Sequence, residues 1–363
     1  MPMLKTYPFY IRSTIILFGL ILCSYALANL RDILVPFSFA LLVAILLNPL
    51  VSRLELWKVP KVPAIAIALL VAIVIIGAVW YFLATQMMHF TSQLPALERK
   101  TDQLVSKLQQ DLSSKIPLDK QNQYLTEAKA GIKPLIARTL GSVVGTLTTA
   151  FLLPVYAFLL LYYKTLILNF LYEIFAEENE REVREVLLKV RGAIQSYMYG
   201  LLIEGLIVAT LNAIALFILG VPYAILLGVL GAILNVLPFF GGILAALLPM
   251  VVATITKDGF HTQIGIAISY MIIQFVDNHF LIPYIVSSRV KINALISIVA
   301  VLLGAAVWGL SGMFLSIPFI GILKIVFDRI PEMRPWGRLL GSEVDVRQTG
   351  VRRPRKRGVA RVK

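Results

Sequence analysis

Eight apolar runs fill most of the chain: Thr14 to Ala28, Ile33 to Leu50, Ala64 to Thr85, Ser142 to Tyr163, Leu201 to Leu219, Val221 to Ile255, Ile264 to Val286 and Ala294 to Phe327. A helix needs roughly 20 mostly apolar residues to cross the hydrocarbon of a bilayer. Inside lipid every backbone donor and acceptor must find a partner within the protein, which leaves helices or closed barrels as spanning structures. Runs of this length predict an all-α integral membrane protein of about eight transmembrane segments, with short extramembrane helices. Composition agrees: 58% of the 363 residues are hydrophobic and 15% charged, against about 45–50% and about 25% in soluble domains. A soluble multi-domain enzyme is excluded.

The sixth and eighth runs are too long for one ordinary crossing, and both are broken near the middle. In the sixth, NVLPFFGGILAALLP carries Asn235, Pro238, Gly241, Gly242 and Pro249; in the eighth, Gly309 and Gly312 precede Pro318. Proline removes a backbone donor and glycine permits non-helical backbone. Both runs are therefore expected to be helical hairpins, or paired half-helices, returning to the side from which they entered. Freed amides and carbonyls at such breaks are tolerated in lipid only where protein buries them or where they line a wet cavity.

Lys5 and Arg12 precede the first run, which lacks a small-residue cleavage site and is followed at once by a second run, so it reads as a retained helix. With both broken runs returning, 24 of the 34 lysines and arginines fall on the side of the N-terminus. The positive-inside rule then predicts a multi-pass protein of the bacterial inner membrane with cytoplasmic N- and C-termini. The net charge of +14 raises nucleic acid as a partner. The tail VRRPRKRGVARVK has no aromatics or nucleic-acid motif, however, and reads as an anchor for anionic lipid headgroups.

Five regions follow: three N-terminal membrane segments (1–86), an extramembrane amphipathic segment (87–140), a fourth membrane segment with a cytoplasmic helix (141–200), a membrane core with broken helices (201–328) and a basic tail (329–363). In the second, Phe90, Leu94, Leu97, Thr101, Leu104, Leu108 and Leu112 form a helical seam, suited to packing on the membrane domain or on other subunits. In EENEREVREVLLKVRGAI, the i,i+4 spacing predicts pairs Glu177–Arg181, Glu180–Arg184 and Glu185–Lys189, with Val183, Val186, Leu187, Val190 and Ile194 as the apolar stripe.

Charges at membrane depth are costly and mark functional sites by default. Two acids stand there, Glu204 and Asp277. Gln274, Asp277 and Asn278 share a helical face, facing either a solute or ion path or a helix-to-helix hydrogen-bond clamp. Glu204 lies a few residues into its span, where it either handles a proton or ion or pairs with a base such as Arg191. Catalytic signals are absent. Cys23 is the sole cysteine, and His89, His261 and His279 form no zinc spacing. Neither a nucleophile elbow nor a phosphate loop occurs. EENER misses the glutamate-protease pattern by one residue, so no enzyme, cofactor or metal is expected.

In this order, LLNPL, FLLPVYAFLLLYYK, NVLPFFGGILAALLP, QFVDNHFLIPYIVSSRVKINAL and WGLSGMFLSIPF resemble the autoinducer-2 exporter family of bacterial permeases. The resemblance runs from the first paired spans to about Arg329. It carries over onto Asn235, Pro238, Gly241 and Pro249, then Gln274, Asp277, Asn278 and Pro283, then Gly309, Gly312 and Pro318. The chain departs from it at Gly242, where a proline is common, at Asp277, where a glutamate is common, and near Asn293 and Ala294, where a proline is common. It implies an oligomeric inner-membrane permease. Some relatives are linked to export of autoinducer-2 and others to exchange of sodium or lithium for protons.

The residues and the resemblance together give a secondary-type permease exporting a small polar solute, with autoinducer-2 as the named candidate. Asp277, Gln274, Asn278, Asn235 and Glu204 form the solute or ion path, possible coupling ions being H+ or Na+. Pro238, Gly241, Gly242, Pro249, Pro283, Gly309, Gly312 and Pro318 mark the breaks that gate it. The alternatives are a sodium or lithium/proton antiporter and a non-transporting membrane scaffold.

Overall fold

A computed structural model describes residues 8–112, 147–175, 180–236, 241–257, 259–286 and 292–341. The helices are α1 (Phe9–Asn29), α2 (Arg31–Leu56), α3 (Lys61–Leu112), α4 (Leu147–Tyr162), α5 (Lys164–Phe175), α6 (Glu180–Ile218), α7 (Ala224–Asn235), α8 (Gly241–Thr256), α9 (His261–Val276), α10 (Ala294–Phe327) and α11 (Arg334–Leu340). α9 runs on as a wider π-helical segment, Asp277–Val286. Among the described residues the only extended pairing is an isolated bridge between Ile292 and Gly341. The expected all-α membrane fold is what the chain forms.

Among the described residues five helices are long and apolar enough to cross a bilayer, or six if α4 and α5, bent by 62°, count as one span. α1, α7 and α8 are apolar but shorter. At 1.5 Å per residue α7 reaches about 18 Å and α8 about 24 Å, each short of a hydrocarbon layer roughly 30 Å thick. They fold back on one another instead: a Cβ on Gly241 would land on the carbonyl of Leu234 and the Cα of Asn235. Pro238 lies outside the described residues, as do Glu177, the side chains of the Phe90-to-Leu112 seam and the tail beyond residue 341.

The second broken run is also a hairpin. Within α10, Gly309 takes φ 60°, ψ −139° beside a non-helical Trp308, a backbone region open essentially to glycine alone. A Cβ on Gly304 would meet the carbonyl of Gly312, and one on Gly312 the carbonyl of Gly304. Residues eight apart in a continuous helix stand about 12 Å apart, so 294–307 and 310–327 run back to back. Asn293 starts the hairpin by accepting the amide of Leu295 at 2.9 Å, an N-cap worth about 1 kcal/mol.

Pro49 organises the centre. Lacking an N–H, it leaves the carbonyl of Ile45 without its helical donor. Gln195 Nε2 on α6 supplies one at 2.9 Å, and Tyr199 Oη donates to the neighbouring Leu46 carbonyl at 3.1 Å. Lys164 Nζ donates to the buried Asn48 Oδ1 at 2.9 Å, and Lys61 Nζ to the last carbonyl of α4, Tyr162, at 2.7 Å. The LLNPL motif is thus a docking point for α5 and α6. Beside it Leu42, Ile194 and Leu315 form a buried core on which Val190 packs. Of the stripe expected on α6, Val190 and Ile194 therefore face α2 and α10.

One of the ion pairs expected on α6, that of Glu185, changes partners. Glu185 takes Arg181 at 3.5 Å and Arg329 at 3.0 Å instead of Lys189. The reason is tertiary: Arg329, just past the end of α10, lies over α6, and Glu185 sits between it and Arg181 one turn earlier on the same helix.

Candidate functional site

The buried face of α6 repeats every four residues: Gly200, Glu204, Val208, Asn212 and Leu216. α7 crosses it at close range because its contact residues are small. Gly228 lies against the backbone of Ala209 and Ala213, and Gly231 against Asn212. Close crossings of this kind replace the hydrophobic drive that helices lack in lipid. The last residue of α7, Asn235, is thereby delivered to Glu204. From α9 the face formed by Tyr270, Gln274 and Asp277, at i, i+4 and i+7, closes over both.

At the meeting point Asn235 Nδ2 donates to Glu204 Oε1 at 3.1 Å and to Asp277 Oδ2 at 2.8 Å. Gln274 Nε2 reaches Asp277 Oδ2 at 3.4 Å and Asn278 Oδ1 at 3.5 Å. Glu204 is 4% exposed and Asp277 1%. The two carboxyl groups lie within hydrogen-bonding reach of each other, and among the described residues the charged or polar side chains acting on them are Asn235 and Gln274, with no lysine or arginine. Gln274 in this position packs on the bare backbone of residue 242, where a Cβ would clash with Gln274 Oε1.

Val208, Asn212, Asn235, Gly242, Ala245, Tyr270, Ile273, Gln274 and Asp277 line a cavity beside this cluster. A water centre can move within about 10 Å³ of it, which suits a single water-sized species. Asn212 Oδ1, Tyr270 Oη and Asp277 Oδ1 are buried without a hydrogen-bond partner. Unpaired buried polar atoms cost about 1–3 kcal/mol each, a cost that a polar species in this cavity would relieve.

Of the residues singled out in the sequence, the structure brings together Glu204, Asn235, Gln274, Asp277 and Gly242. Glu204 bonds to Asn235 rather than Arg191. Asn278 shares an amide contact with Gln274 but is exposed. Gly241 is the fold-back point. Pro249 is buried within α8, and Pro283 lies in the π-helical segment. Gly309, Gly312 and Pro318 belong to the α10 hairpin and line no part of this cavity. Asn212 and Tyr270 were missed. The signal for Asn212 is its place two i+4 steps beyond Glu204 on an apolar span; Tyr270 stands one such step before Gln274. Among the described residues no three His, Cys, Asp or Glu side chains cluster as metal ligands.

Residues 14–332 match the model of the AI-2E family transporter. The chain is 26% identical over 316 residues to the "AI-2 transport protein TqsA" of Escherichia coli K12, covering 85% of this chain and 89% of that protein. It is 28% identical over 328 residues to a Haemophilus influenzae protein named "Putative transport protein", covering 86% and 91%. A polar cluster at a helix break within a multi-pass helical membrane fold is what a permease requires, and with the family match over most of its length the chain belongs to the AI-2E transporter family.

Proposed function

We propose that the protein is a proton-coupled secondary permease of the inner membrane, exporting a small polar solute, with autoinducer-2 as the leading solute. Asn235 bonded at once to Glu204 and Asp277 carries this reading. Two buried carboxyl groups bridged by one amide, with no cation beside them among the described residues, are stable while a proton is shared between them and costly when both are charged. Asn235 sits at the fold-back of the α7–α8 hairpin. Movement of that hairpin would withdraw the amide from both acids together and expose them to the solute or to a proton. Gln274, held in place by the bare backbone of Gly242, and Asn278, at the exposed end of the polar face, would guide the solute. The name of the Escherichia coli relative supports autoinducer-2 as the solute. Cytoplasmic termini and a homo-oligomeric assembly belong to the same reading, the first supported by the distribution of basic residues.

The test is the partition of autoinducer-2 between cells and medium in a host lacking its own exporter, with wild type and Asp277→Asn at matched membrane abundance, with and without a protonophore. The reading predicts that wild type lowers the cellular signal and that either the substitution or the protonophore abolishes this. Wild type indistinguishable from empty vector would remove autoinducer-2 as the solute.

A further inference from the structure

The docking point around LLNPL carries more positive charge than it has partners for. Lys164 Nζ, at the start of α5, donates to Asn48 Oδ1, and Lys61 Nζ, at the start of α3, donates to the carbonyl of Tyr162. The charged groups acting on Lys164 are Arg191 on α6, the exposed Glu55 and Lys61, so three cations share the region with one carboxylate. Arg191 is half-buried, and neither it nor Glu55 forms a hydrogen bond or ion pair among the described residues. Asn48 is 5% exposed, and its Nδ2 is buried without an acceptor. Because Oδ1 of that amide takes the Lys164 ammonium, Nδ2 is held as a donor beside it. Half-buried like charges repel and an orphaned donor is costly. An anion with several oxygens would relieve both.

The depth of the cluster points to the source of the anion. Trp57 follows the end of α2, and Tyr162 and Tyr163 precede Lys164; all three are exposed, as aromatic side chains are at a membrane–water boundary. α5 bends away from α4 by 62° and buries none of its residues, leaving Leu166, Phe170 and Phe175 exposed. A short helix of that kind suits the plane of the interface, with its apolar side chains among acyl chains. We propose that Lys164, Lys61, Arg191 and Asn48 Nδ2 bind the phosphate of one anionic lipid headgroup, whose acyl chains lie along the apolar side chains of α5. An arginine takes two phosphate oxygens at once, and each lysine keeps donors beyond the one it has spent. Basic pockets between spanning helices are suited to acidic headgroups. Such binding is independent of which solute the protein carries.

The experiment is native mass spectrometry and thermal unfolding of the delipidated full-length protein in detergent. The probes are short-chain phosphatidylglycerol, phosphatidylcholine of the same chain length and inorganic phosphate. The expected result is one phosphatidylglycerol retained per chain, saturably and with a rise in unfolding temperature, while phosphatidylcholine binds about tenfold more weakly. Lys164→Gln and Arg191→Gln should each weaken phosphatidylglycerol binding about tenfold. Without lipid, Arg191→Gln should unfold at or above the wild-type temperature, because it removes repulsion and no partner; a lower temperature would make Arg191 structural and overturn its role. The basic tail is unchanged in both variants, so their loss of binding reads this cluster alone. If Lys164→Gln fails to fold, Arg191→Gln decides. No saturable binding, equal binding of the two lipids, or affinity unchanged in Arg191→Gln overturns the site. Inorganic phosphate that displaces phosphatidylglycerol at equal concentration overturns the lipid as occupant and makes a free anion the ligand.

Discussion

The two hairpins of this protein are alike in sequence character and different in consequence. The α7–α8 hairpin ends in Asn235 and brings that amide between two buried acids. The α10 hairpin turns at Gly309, closes through Gly304 against Gly312, and anchors Trp308 Nε1 at its tip on the carbonyl of Leu27 in α1 at 2.9 Å. The first break delivers hydrogen-bonding groups to a cavity, while the second ties its tryptophan to α1 and packs. A broken helix in a membrane protein is therefore a site only when polar side chains accompany the break. Glycine and proline alone build turns.

The sharpest way to break this comparison is to neutralise the acids. Asp277→Asn and Glu204→Gln should each reduce transport to the level of empty vector at wild-type abundance, whereas no substitution confined to the α10 turn should do so without loss of folded protein. Gly312→Ala comes next. Its methyl would meet the backbone of Gly304, which cannot yield as a side chain can, so thermal denaturation should show a loss of about 3 kcal/mol. Transport per folded molecule should stay unchanged. Gly242→Ala is the informative contrast, because its methyl meets the end of a flexible glutamine. Stability should fall by only about 1 kcal/mol, while the apparent affinity for the solute weakens severalfold. The smallest effect belongs outside both hairpins. Arg329→Ala removes a half-exposed partner of Glu185 and should cost about 0.5 kcal/mol, less at high salt.

Much of the architecture was legible because the bilayer leaves few options. Runs of spanning length gave the helices, and runs too long for one crossing, interrupted by Gly and Pro, gave both hairpins. Asp277, Gln274 and Asn235 were visible as polar residues in apolar surroundings. Their assembly was not, because it depends on how α7 crosses α6. That crossing is set by Gly228 and Gly231, whose role lies in what they lack. Glu204 was ambiguous for the same reason: its depth along the chain suits an interface as well as a core, and only the α7 contact decides. Asn212 and Tyr270 escaped notice because one asparagine or tyrosine in a span is unremarkable until three unpaired oxygens share a cavity. The pairing of Glu185 with Arg329 spans 144 residues, beyond the reach of helical spacing rules.

The most direct test of the central claim is the proton flux that accompanies solute movement. Sealed vesicles carrying wild type, Glu204→Gln, Asp277→Asn or Gly309→Ala would be loaded with a pH-sensitive dye and given a solute gradient. The account predicts a solute-dependent pH change with wild type, none with either acid substitution, and a signal proportional to folded protein with Gly309→Ala. A wild-type-sized signal from Asp277→Asn, or its selective loss in folded Gly309→Ala, would contradict the account and shift the site to the other hairpin.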